Sequence, residues 1–102
     1  MIRIVRRAKL KPGCETEYIK RHKEVWPEVL ELIRDSGVKN YSICISGLDL
    51  FSYLEVENWD KAIEKMLDDK IGYKFQEYMA PLMDSNDPKS PWIKIEEVFH
   101  LD

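Results

Sequence analysis

A chain of 102 residues is long enough for one domain and too short for two, so a single unit spanning residues 1–102 is expected. Hydrophobic residues make up 44 % and charged residues 34 %, a balance that excludes an intrinsically disordered chain. The net charge of −3, with no long apolar run and no apolar leader, argues against a nucleic-acid surface, a membrane span and a signal peptide.

Residues 2–10 alternate as a half-buried strand does, with Ile2, Ile4, Ala8 and Leu10 on one parity. Arg6 breaks that parity: either it lines a cleft on the apolar face, or the register shifts beside it. Lys11-Pro12-Gly13 ends the strand. Over 14–36, Tyr18, His22, Trp26, Val29, Leu30 and Ile33 recur at helical steps. Pro27 falls inside this stretch, so the helix is expected to kink there or to restart with Pro27 in its first turn. Asp35-Ser36-Gly37 is a plausible stop.

Residues 38–46 form a second strand, with Tyr41, Ile43 and Ile45 on one face and Asn40, Ser42 and Cys44 on the other. After Gly47-Leu48-Asp49, residues 50–57 form a third, antiparallel to it. There Leu50, Leu54 and Val56 oppose Phe51, Tyr53 and Glu55. Residues 59–69 suit a helix with Trp59, Ile63, Met66 and Leu67 inward, and residues 73–83 suit another, limited by Pro81. Asp84 to Pro91 is a polar loop. Residues 92–101 read as a last strand with Ile93, Ile95, Phe99 and Leu101 on one face and Glu97 interrupting it.

This order is that of the ferredoxin-like split βαβ plan: α+β, a four-stranded antiparallel sheet with helices on one face. The other sheet face carries apolar and aromatic residues. A second copy of the chain is the simplest cover, giving a homodimer.

Tyr18, His22 and Trp26 are the strongest local signal. Spacing of four stacks them on one helical stripe, and an imidazole between aromatics is partly desolvated. His22 is then either a packed histidine or a proton carrier. Tyr41 either packs in the sheet or reaches a ligand. Glu55 and Glu97 read first as paired charges, with Arg6 as the obvious partner, and second as a base. Trp59 and Trp92 are assigned to core or interface. Cys14 and Cys44 form no CxxC pair and are expected to be reduced in a cytosol; His22 and His100 are too isolated to suggest a metal.

The stretch Tyr18-x-x-Arg21-His22-x-x-x-Trp26-Pro27-Glu28 resembles the L-rhamnose mutarotases. So do the Asn40-Tyr41 pair, Tyr78-Met79 and the ending Glu97-Val98-Phe99. The resemblance implies a dimeric α/β barrel in the cytoplasm that interconverts the anomers of a deoxyhexose without a cofactor or metal. It implies His22 as proton donor, with Tyr18 and Tyr41 binding the sugar. The family's paired tryptophans correspond here to Phe75 and Gln76. The substrate is therefore L-rhamnose, L-fucose or another pyranose. The alternatives are a non-catalytic sugar-binding or regulatory dimer and another cofactor-free enzyme of the same fold.

Overall fold

A computed structural model describes residues 1–88 and 90–102. The elements run β1 (Ile2–Lys9), α1 (Glu15–Lys23), α2 (Pro27–Asp35), β2 (Lys39–Ser46), β3 (Asp49–Val56), α3 (Trp59–Asp68), α4 (Lys70–Met79), a 3-10 turn (Ala80–Leu82) and β4 (Ile93–Ile95). The strands form one antiparallel sheet in the order β2-β3-β1-β4. This is the expected α+β plan.

Pro27 divides the first helical stretch. The residue before a proline is pushed out of the helical region, and Trp26 is extended, at φ −59° and ψ 134°. Helix α2 therefore restarts with Pro27 in its first turn, where a missing N–H costs nothing. Helices α3 and α4 are also separated by one extended residue, Asp69, whose side chain accepts from the Ile71 N–H. That cap starts α4 at Lys70, three residues before the expected Tyr73.

Ile4, Leu10, Leu50, Leu54 and Val56 are the largest fully buried apolar side chains, all on the face that the helices cover. They belong to two clusters. Ala8, Leu10 and Leu50 pack with Tyr18, Val29, Phe75 and Met79. Ile4, Leu54 and Val56 pack with Val38 and Ala62. Between the clusters runs one cross-strand row, Lys94–Arg6–Ser52–Ile43. Arg6 thus stays on the apolar parity, with no register shift in β1.

The last strand is shorter than its pattern suggests. Only Ile93–Ile95 pairs, and Val98, Phe99 and Leu101 of the following tail are 79–87 % exposed. An edge strand keeps its pairing when its side chains have something to pack on, and within one chain these have nothing. The sheet face turned away from the helices is similarly bare, with Phe51 and Ile93 exposed.

Candidate active site

A cavity of about 650 Å³ lies between the inner sheet face and the helices. Among its walls are Tyr18 and His22 from α1, Arg6 from β1, Tyr41 from β2, Trp59 from α3, Phe75 and Gln76 from α4, and Trp92 and Lys94 from the β4 end. The three residues singled out in the sequence, Tyr18, His22 and Tyr41, therefore share one cavity.

Tyr18 and His22 lie one helical turn apart with ring centroids 4.3 Å from each other. The His22 Nδ1 sits 3.2 Å from the Tyr18 carbonyl oxygen. A carbonyl only accepts, so Nδ1 carries the hydrogen and donates, and Nε2 keeps its lone pair. Burial lowers the His22 pKa below the ordinary imidazole value, and the bond to the Tyr18 carbonyl offsets this only in part. At neutral pH the ring is an uncharged base. Burial pushes the Tyr18 hydroxyl well up, the nearby Tyr41 adds to this, and Arg6 opposes it.

Tyr41 reaches the site from the inner parity of β2, just inside an irregularity of the strand. Between Lys39 and Ser42 the strand carries one extra residue against β3, and Asn40 takes φ +51°. Alternation keeps Tyr41 on the inner face with Ile43 and Asn40 on the outer face, while the extra residue brings Lys39 opposite Glu55. There the Asn40 amide donates to Glu55.

Phe75 meets His22 edge-on at 6.2 Å and Trp26 edge-on at 5.2 Å. Trp26 also lies 5.3 Å from Tyr78. Arg21 ties this wall to α1: its guanidinium stands 4.0 Å over the Tyr78 ring, donates to the Tyr78 carbonyl, and pairs with Glu17 at 3.0 Å. Arg21 is thus a clamp between α1 and the end of α4, where a cation suits the helix carbonyls.

Neither carboxylate considered as a base reaches the cavity. Strand alternation puts Glu55 on the outer face, accepting from Asn40 and from the Tyr53 hydroxyl at 2.9 Å. Glu97 forms a two-pronged pair with Arg3 at 2.7 and 2.9 Å, which holds its carboxyl below the usual range. The expected partnership of Arg6 with either is therefore wrong; Arg3 fills that role for Glu97. His100 pairs with Asp102 in the tail. Among the described residues no cluster of His, Cys, Asp or Glu could hold a metal ion.

A family model described as L-rhamnose mutarotase matches residues 3–101. The chain belongs to the L-rhamnose mutarotase family. It is 46 % identical over 96 residues to an L-rhamnose mutarotase of Listeria monocytogenes, covering 90 % of each chain. It is 38 % identical, over the full length of both, to one of Lactiplantibacillus plantarum. The crystal structure of an L-rhamnose mutarotase from Formosa agariphila superposes over the whole of both chains, with a TM-score of 0.86 and 32 % identity. As a member of this family the protein is an isomerase, an aldose mutarotase.

In this mutarotase two wall residues escaped sequence reasoning. Trp59 and Trp92, read as core or interface, flank the Arg6 guanidinium at 5.1 and 5.0 Å. The signal was present in Arg6, a charge on an otherwise apolar parity. Of the loop 84–91, Ser90 and Pro91 line the cavity, as a segment over the pocket would; Lys89 lies outside the described residues.

Proposed function

We propose that the protein interconverts the α and β anomers of a deoxyhexose pyranose, with L-rhamnose as the first substrate and L-fucose as the second. The observation that carries this reading is the uncharged His22 ring, tied back through Nδ1 and lining the cavity with Nε2 as a free base. The anomeric hydroxyl oxygen and the ring oxygen share one carbon, so one imidazole nitrogen can serve both. His22 Nε2 takes the proton from the anomeric hydroxyl and passes it to the ring oxygen. The bond from the anomeric carbon to the ring oxygen breaks, and a carbonyl forms at the anomeric carbon. The aldehyde turns about its bond to the next carbon, and the same steps in reverse close the ring on the other face. Tyr18 and Tyr41 orient sugar hydroxyls, and Phe75 covers an apolar face of the sugar. This scheme needs no carboxylate, consistent with Glu55 and Glu97 standing elsewhere. Saturation-transfer NMR on a panel of deoxyhexoses tests it: irradiating one anomer should diminish the other only when the protein is present. Sugar that binds without faster exchange would leave a binding protein instead.

The bare sheet face carries Val5, Phe51, Tyr53 and Ile93 among its charged residues, and the exposed tail of the same chain carries Val98, Phe99 and Leu101. We therefore propose a homodimer that covers both at once, with the tail of each copy on its partner. Phe51 stands in the middle of that face. The wild type should show about twice the 12.1 kDa mass of one chain by light scattering, and Phe51→Asp should show the single mass. A monomeric wild type would end the idea. Cys14 and Cys44 are both free thiols, which suits the cytoplasm proposed for this dimer.

A further inference from the structure

Arg6 as a residue is only 8 % exposed, yet among the described residues no carboxylate pairs with its guanidinium. Its Nε donates to the Ser52 hydroxyl at 3.2 Å and its Nη2 to the Tyr41 hydroxyl at 2.9 Å. The remaining N–H groups find no acceptor among the described residues. Three rings surround the charge: Tyr41, Trp59 and Trp92, at 5.8, 5.1 and 5.0 Å. They make burial tolerable through their faces, but they carry no counter-charge.

A second observation points the same way. Lys94 stands directly opposite Arg6 in the β1–β4 pairing, on the same inner face, and both line the cavity. Like charges placed opposite each other across strands repel. No Asp or Glu is among the described residues lining the cavity, so no carboxylate of that wall relieves the repulsion. Two cations with spare guanidinium donors make a built anion seat inside a sugar-sized cavity, and the buried Ser52 hydroxyl holds the Arg6 Nε behind it.

We infer that the mutarotase pocket accepts pyranoses bearing a carboxylate, the hexuronates, with the carboxylate held by Arg6 and Lys94. This rests on the mutarotase reading above and extends it. A hexuronate and a 6-deoxyhexose of the same configuration differ only at the substituent next to the ring oxygen, carboxylate in one and methyl in the other; other hexuronates differ in ring stereochemistry as well. The hemiacetal chemistry is the same, so the base that opens one ring can open the other. The planar guanidinium matches a carboxylate with two parallel bonds, while Lys94, more exposed, supplies charge at the mouth.

The test is anomer exchange by NMR at neutral pH with D-galacturonate, D-mannuronate and L-guluronate beside L-rhamnose and L-fucose. At least one hexuronate should exchange with kcat/KM equal to or above that of the deoxyhexoses. In Arg6→Met the ratio of hexuronate to deoxyhexose kcat/KM should fall about ten- to a hundredfold, mainly through KM, the loss expected when a charged hydrogen-bond pair is removed. Arg6→Lys, which keeps the charge without the fork, should fall between. The ratio is internal to each variant, so a general loss of folded protein does not move it. If the deoxyhexoses exchange and no hexuronate does, or if the ratio is unchanged in Arg6→Met, the inference is overturned and the mutarotase reading stands. If no sugar exchanges, both are overturned.

Discussion

His22→Ala should lower the protein-dependent rate of anomer exchange by about 10²–10⁴-fold, the span that general acid–base catalysis supplies. Helix α1 should survive the change, since alanine is the best helix former. The same exchange NMR, with the spontaneous rate subtracted, measures the loss, and circular dichroism checks the fold. A rate equal to the wild type would remove the imidazole from the reaction. The pH dependence follows from the depressed pKa. The working form is the neutral ring, so the rate should be level above the ordinary imidazole range and fall on the acid side, with its midpoint below 6.5. Stability follows the same sign. Below the ordinary imidazole pKa the unfolded chain takes up the proton before the folded one does. The contribution of neutral His22 is thus complete above that pKa and lost as pH falls through the depressed one. Urea titrations at about pH 7.5 and pH 5, spanning the ordinary imidazole pKa, should show the wild type losing more stability than His22→Ala.

Local rules carried most of the fold. Period-two alternation placed Ile4 and Ala8, Leu50 and Leu54, and Tyr41 and Ile43 on the faces they occupy, because one sheet face is buried and register is then strongly specified. Pro27 announced the break between α1 and α2 for a steric reason that needs no tertiary context. The site was legible where one helix builds it, at Tyr18 and His22. It was less legible where it depends on elements distant in sequence. Arg6 meets Trp59 and Trp92 only once three separate segments fold together, and nothing local in either tryptophan marks it as a cavity wall. Glu55 and Glu97 remain candidate bases on sequence alone, because alternation says which residues share a face and not which face the helices cover. The final strand was overextended for a related reason. Ile93, Ile95, Phe99 and Leu101 keep strand-like spacing, but Phe99 and Leu101 stay exposed, with little among the described residues to pack on.

Gly72→Ala should destabilise the protein by about 2 kcal/mol, although its backbone is ordinary helix. Helix propensity alone favours alanine by about 1 kcal/mol, so the sign is decided by space. A Cβ at position 72 would press into the Met66 carbonyl oxygen of α3, well inside van der Waals contact, and meet Leu32 Cδ2 of α2 at 2.9 Å. The leucine methyl can rotate away. The Met66 carbonyl cannot, because it is main chain on a packed helix, so α3 and α4 must part. Overpacking of this kind costs about 1–3 kcal/mol, and a backbone obstacle puts it at the upper end. The thermal midpoint should drop by roughly 8–16 °C for a chain of this size. Helix α4 also carries Phe75, less than one turn along, against His22 and Trp26. Anomer exchange should therefore fall as well, while Lys74→Ala on the exposed side of the same helix leaves both quantities near wild type. A melting temperature at or above that of the wild type in Gly72→Ala would show that the three helices do not meet as closely as this packing requires.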